Sequence, residues 1–507
     1  MRTQASRRRF LQSATAAGLA GSFLDVPLGG MLRRVSAEEA APQPGAVKLR
    51  PEIEPLVKLL EETPRERVLE EVAARIRGGL NYQDLLAALL LAGVRNIQPR
   101  PSVGFKFHAV LVVNSAHLAS IASPDEHRWL PILWAVEEFK RSQEQDTREG
   151  NWTMPALDES RVPSGKRAML DFSHAMNRWD PEAVDPAAAG MARSYGANDL
   201  FDIFCQFGAR DFRDIGHKAI YVANSWRTLR TIGWQHAEPV LRSLAYALTH
   251  YGDENPADSD QEADRPSRRN RELVMKIPDN WQVGRLDDGA TRELLAGMRT
   301  GDWQAACDTA VAQLNAGVDP QSLWDAIHSS AGELLMNQPG IVALHAVTTA
   351  NALRFAFMES GRDETRRLLL LQAAAFVPMF HTAARGRGNV GSTKLDELDG
   401  TSPGQDAAGV EKIMHAISDD RMQACEQLHG YLAAGGATKP LIDAARLLVF
   451  FKGTNSHDYK FSSAAFEDYA LLSPGWRERY LATSVFNLRG AGDQDNGLSE
   501  RVRAALS

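Results

Sequence analysis

The chain reads as helix after helix. Tyr82 to Leu91, Leu353 to Met358 and Arg367 to Phe380 are rich in strong helix formers, and alternating valine, isoleucine and threonine runs of strand type are almost absent. Helix-start signals recur at Asn81 ahead of Asp84, at Asp319-Pro320 ahead of Leu323, and at Asn455-Ser456 ahead of His457. The pattern predicts an all-α fold, built as a multi-helix array rather than a simple four-helix bundle. Three stretches interrupt it. Arg148 to Lys166 carries Gly150-Asn151-Trp152 and reads as a structured loop, while Arg385 to Ala408 is glycine-rich and polar, a surface excursion or lid. Gly252 to Pro278 is highly charged and marks the best boundary. The expected organisation is an N-terminal helical half over 38–252, a charged linker over 253–280 and a second, similar helical half over 281–507.

Four of the apolar stretches open on a histidine. These are His108 ahead of Asn114, His217 ahead of Asn224, His345 ahead of Asn351, and His457 ahead of Lys460. Asparagine is a poor helix-interior residue because its amide competes with the backbone for hydrogen bonds. Keeping one in such surroundings predicts a buried polar partner. Residues four and seven apart share a helix face, so His217 is expected beside Tyr221 and Asn224, His345 beside Thr349, and His108 beside Ser115. Four polar-tipped helices facing one interior would form a site. The intervals between the histidines are too long and uneven for a solenoid repeat.

Imidazole suits three uses here: metal ligand, general acid or base, and hydrogen-bond donor to a developing oxyanion. The spacing does not choose among them, and core histidines in separate places remain the alternative. Asp171-x-x-His174, Asp325-x-x-His328 and Glu426-x-x-His429 have di-metal spacing, but such pairs arise at about this frequency by chance. Gly386 to Gly391 fits G-x-G-x-x-G yet follows a helix instead of a strand, so it reads as coincidence. Trp129, Trp134 and Phe139 fall on one helix and are expected in the core.

An address precedes all of this. Ser6-Arg7-Arg8-Arg9-Phe10-Leu11-Gln12 matches the twin-arginine export signal except at its last position; Ala14 to Leu24 and then Val35-Ser36-Ala37 complete a signal peptide over 1–37. The twin-arginine translocase is thus an expected partner, and the bacterial periplasm the expected location. Removing those residues, with six arginines and one aspartate, takes the formal charge from −7 to about −12. An acidic mature chain argues against nucleic acid or anionic membrane as partner. No uninterrupted apolar run of spanning length appears, so no membrane span is expected in the mature chain. Cys205, Cys307 and Cys425 are far apart and read as three buried thiols.

The histidine segments resemble those of the questin oxidase-like family, helical oxidoreductases that include fungal enzymes of aromatic polyketide ring cleavage. Gly216-His217-Lys218-Ala219-Ile220-Tyr221 resembles the family's His-Pro-x-Ile-His segment, with Tyr221 where a second histidine often stands. Leu344-His345 through Arg354 is similar to its His-x-Val-Thr…Ala-x-Arg segment, and His457 through Lys460 to Glu467 to its His-x-x-Lys…Ala…Glu segment. His108 takes the place of an early histidine. These islands span residues 80 to 490. The resemblance implies an oxygen-inserting oxidoreductase acting on a small-molecule aromatic or cyclic ketone, with a metal or NADPH as cofactor. On this reading His108, His217, His345 and His457 line an interior pocket, Tyr221 and Lys460 add a proton donor and a cation, and Asn114, Asn224 and Asn351 fix imidazole tautomers. The alternative is a non-catalytic metal- or haem-binding envelope protein using the same histidines.

Overall fold

The computed structural model describes residues 35–36, 53–99, 106–250 and 254–506; the export-type segment Ser6 to Leu24 lies outside them. The described residues form 22 α-helices and no strands, with one isolated bridge between Arg285 and Val318. The fold is all-α. The expected helix starts are real caps. Asn81 accepts from the Asp84 amide, Asp319 from the Gln321 amide, and Asn455 forms a reciprocal capping box with Asp458.

Four helices build the centre. They are α1 (His108–Ala122), α2 (His217–Ile232), α3 (Ile341–Glu359) and α4 (Ser456–Leu471). Each packs on the next, and α4 closes the ring back onto α1. Each carries its histidine at the N-terminal end, and the four rings meet in one layer. The asparagines of α1, α2 and α3 meet further along. Both layers align only if all four helices run in the same direction. Parallel neighbours cannot be joined by short loops, so the chain must travel back outside the ring each time. That is why more than a hundred residues separate successive histidines.

The returning segments are themselves helices that cover the ring. Tyr82–Asn96 is buried on nearly every side and touches α1, α2 and the helices Leu130–Glu149 and Ala237–Thr249. Trp129, Trp134 and Phe139 are buried there. Asp363–Arg385 and Pro320–Asn337 pack against α3. α3 and Asp363–Arg385 are long and apolar enough to cross a membrane by length and composition, yet their most apolar windows are 89% and 83% buried in the fold. The three cysteines are buried free thiols.

The charged stretch around residue 265 is more than a linker. It contains the helix Arg265–Val274, which packs on Asp363–Arg385. Arg213 reaches Asp264 through two hydrogen bonds of 2.8 and 2.5 Å in a buried pair, and Asn270 donates to Gln372 at 2.8 Å. The polar loop after Arg385 is likewise tied down: Arg299 pairs with Asp396, and Asn337 holds the Thr393 amide and carbonyl.

Phe376 of the helix Asp363–Arg385 is fully buried and meets Phe212 edge-on, at 5.4 Å between ring centroids, just before the segment that leads into α2. Phe376→Ala should cost about 3–5 kcal/mol in a denaturant titration, from lost burial plus the cavity left behind. A cost below about 1 kcal/mol would contradict this packing.

Candidate functional site

The approach to His217 is conformationally unusual. Asp214 and Ile215 have φ of 59° and 44°, and Gly216 has φ of 82°, three left-handed residues in succession. For a β-branched residue such as Ile215 this conformation costs about 1–2 kcal/mol. The segment is clamped from both sides, by the Arg213–Asp264 pair and by Lys218 against Asp211 at 2.8 Å to both oxygens. Gly216 is required twice over. A Cβ here would sit 2.0 Å from Thr349 Oγ1 of α3. Its absence lets the start of α2 press on α3, which sets His217 beside His345.

Local oxygens decide which nitrogen of each ring carries the proton. His217 Nδ1 lies 2.8 Å from the Asp214 carbonyl, and His345 Nδ1 lies 2.6 Å from the Ile341 carbonyl. A carbonyl only accepts, so both rings are protonated at Nδ1. His457 Nδ1 donates in the same way to Asn455 Oδ1 at 2.9 Å, an oxygen that also accepts from the His457 backbone amide. In the neutral rings Nε2 is then a bare lone pair. Yet His345 Nε2 stands 2.9 Å from His217 Nε2, and His217 Nε2 stands 3.0 Å from His108 Nε2. With both protons on Nδ1, the lone pairs of His217 and His345 repel at 2.9 Å unless a cation lies between them.

A proton is a poor candidate for that cation. Burial, followed by the charge of Lys460 and the neighbouring rings, holds His108 well below the ordinary imidazole range. His345 is lowered in the same direction by burial and by His217 and Lys460, and His457 is pushed down to about 2 by burial and Lys460. The N-terminal ends of the four helices add about half a positive charge each. One ligand nitrogen from each of His108, His217 and His345 can be drawn from a single cluster with all separations within 4.8 Å. That set suits a metal ion, and the Nδ1 hydrogen bonds are of the kind that orient imidazole ligands. The His457 ring flanks the cluster, 4.4 Å from His108 and 5.2 Å from His345 between centroids. His217, with 13% of its side chain accessible, is the most exposed of these three histidines.

Below the rings lies a small polar cavity of about 10 Å³, room for about one water, lined by residues of all four helices, among them Asn114, Asn224, Asn351 and Lys460. Its floor is a hydrogen-bonded network. Arg227 donates at 3.2 Å to both Asn224 and Asn351 and pairs with Glu467; Asn351 donates to Glu467 at 2.9 Å and to Asp468 at 2.7 Å. Asn224 donates to the Leu111 carbonyl at 2.9 Å. Lys460 is 98% buried, judged by an accessibility of 2%, and its Nζ has no hydrogen-bond partner among the described residues. Burial lowers it to about 7 against the favourable charge of Asp214.

The four histidines expected to converge do so, and Lys460 lies beside them. Tyr221 does not. Its hydroxyl donates to Ser243 at 2.6 Å on the neighbouring helix Ala237–Thr249, and burial pushes it up, so it offers no proton to the rings. Asn114, Asn224 and Asn351 have buried polar partners as expected, but none of these hydrogen bonds reaches an imidazole. The tautomers are set instead by Asp214, Ile341 and Asn455. Arg227 and Glu467 were missed as a pair, although each stands ten residues after a histidine and continues its stripe. Compared with known proteins, the chain matches no family model, no curated protein and no solved structure.

Gly216→Ala should destabilise the fold by at least about 2 kcal/mol, from left-handed strain plus the collision with Thr349. Denaturant unfolding measures this. A substitution that is neutral would show that α2 does not start against α3 in this way.

Proposed function

We propose that His108, His217 and His345 hold a single metal ion, with His457 beside it, in an exported oxidoreductase of the questin oxidase-like kind. The observation that carries this reading is the pair of proton-free Nε2 atoms of His217 and His345 facing each other at 2.9 Å. Neutral imidazole donors suit iron, copper, nickel or zinc. Of these, iron and copper supply the electron-transfer chemistry that oxidation of an aromatic or cyclic ketone needs. For such an oxygen insertion, one atom of O₂ enters the substrate and the other leaves as water, with two electrons and two protons from an external reductant.

The chain's own residues have definite tasks on this reading. Asp214, Ile341 and Asn455 hold the rings in the ligand tautomer. The Asp214 carboxylate, 3.3 Å from His217 Nδ1, strengthens that ring as a donor. Lys460 places a positive charge where substrate oxygen becomes anionic. Surrounding helices exclude water from His345, which is fully buried.

A second reading is a metal-binding envelope protein without turnover. The enclosure of the centre favours it, and a neighbouring cavity of only about 10 Å³ favours a bare ion over haem.

Both readings meet one experiment. Full-length protein isolated from its native host should contain close to one transition-metal ion per chain by elemental analysis. His217→Ala and His345→Ala should each lower metal affinity at least tenfold while far-ultraviolet circular dichroism stays helical. Wild-type protein that takes up no iron, copper, nickel or zinc, or variants that bind as tightly as wild type, would overturn the metal assignment. Metal-dependent oxidation of quinones or cyclic ketones separates the enzyme from the binding protein.

A further inference from the structure

The cavity under the rings is no route to the histidine centre. It has room for about one water, and an ion that still carries bound water needs more. His345 is fully buried and His108 nearly so, whereas His217 keeps part of its side chain accessible. The accessible edge of the centre is thus the seam between the starts of α2 and α3. Across that seam His217 Nε2 and His345 Nε2 face each other at 2.9 Å. Residues 213–216 lie over it. They lead into α2 and pack on α3, where the Ile215 carbonyl accepts from Thr349 Oγ1 at 3.4 Å and Gly216 presses on the same side chain.

This covering segment is strained and held from outside. Asp214 and Ile215 are left-handed, a conformation that L side chains rarely adopt and that persists only where the surroundings enforce it. The enforcing contacts come from the charged stretch ahead of the helix Arg265–Val274. The Phe212 amide donates to the Ala263 carbonyl at 2.8 Å, and Arg213 donates to the Glu254 carbonyl at 2.7 Å. Arg213 also grips both oxygens of Asp264, at 2.8 and 2.5 Å, with both side chains buried. A buried ion pair adds little net stability over apolar packing, but breaking it leaves a charge uncompensated. It therefore selects one arrangement sharply. On the far side, Lys218 and Asp211 pin the base of the same loop to the first turn of α2.

We propose that residues 211–216 are the door through which a metal ion enters and leaves the histidine centre, with the buried Arg213–Asp264 pair as its latch. When the pair parts, the left-handed residues relax, the cover lifts from the seam and the Nε2 atoms of His217 and His345 meet solvent. The charged stretch is then a regulatory element of the centre. The inference rests on the metal-centre reading for the identity of what passes, and not for the opening itself.

The test compares full-length wild type with Asp264→Asn and with the milder Arg213→Lys, which keeps the charge but loses the two-pronged grip. Zinc-loaded protein is mixed with excess EDTA, and zinc release is timed. Asp264→Asn should release zinc at least tenfold faster than wild type, and Arg213→Lys should fall between them. Asp185→Asn, which breaks the Arg242–Asp185 pair outside this segment, should release at the wild-type rate. Metal-free protein gives a second readout, the rate at which diethyl pyrocarbonate modifies each imidazole, read by mass spectrometry. Both latch variants should label His217 and His345 faster, while His117, buried between Tyr82 and Thr231, should be unchanged. Wild-type rates of release and labelling in both variants overturn the proposal. So does faster labelling of His117 alongside His217 in both variants, which marks general loosening. If wild type takes up no zinc, the zinc centre fails, and the labelling rates alone decide whether the door exists.

Discussion

Everything in the interior depends on four helices running the same way around one polar axis. Antiparallel neighbours would cancel their end charges and scatter the histidines to both ends. Running together, α1 to α4 bring four N-termini and four imidazoles into one layer. The arrangement is electrostatically costly, because like ends of the helix dipoles crowd together. It persists because the return segments wrap the ring with apolar helices such as Tyr82–Asn96 and Asp363–Arg385. The stability that those covering helices supply is what lets the centre be polar.

The polar centre is not uniformly satisfied, and the exceptions are informative. Asn351, Arg227, Glu467, Asp468 and Tyr480 form a continuous network in which removing any one member would leave a buried group exposed to loss. Such a network fixes the register of α2, α3 and α4. Closer to the histidines the matching stops. The Nε2 atoms of His217 and His345 face each other without a proton between them, and the ammonium of Lys460 and the oxygen of Asn114 each lack the partner that burial normally demands. A core selected only for stability would replace them with apolar residues. They coincide at one end of the bundle, where the left-handed turn Asp214 to Gly216 also stores strain, so the fold gives up stability at this one place.

Much of this was legible in the sequence. Helix formers and caps identify the all-α class, and the four histidine-led stripes identify the helices that meet. Facing was harder. At about 100° per residue, positions three, seven and ten after a histidine fall about 60°, 20° and 80° to one side of it, while position four falls about 40° to the other. Ile220, Asn224 and Arg227 line the cavity on that first side, as do Lys460 and Ala464 on α4. Tyr221, at position four, turns outward to Ser243. A rule that pairs positions four and seven as one face cannot see which side of the stripe the neighbours occupy. The contacts of the ring decide that, and they are made between residues more than a hundred positions apart.

The direction of the lone pairs, by contrast, is encoded locally. The oxygen that holds each Nδ1 proton comes two, three or four residues before its histidine: Asn455 for His457, Asp214 for His217, Ile341 for His345. Each oxygen belongs to the turn that starts the helix or to the segment just ahead of it, so the tautomer is set as soon as that helix forms. Long-range contacts, above all Gly216 against Thr349, then only have to bring the prepared rings together. Assembly in that order makes the repulsion between facing lone pairs the last cost of folding. A cation entering the histidine layer would convert that cost into binding energy, which couples loading of the centre to closure of the ring.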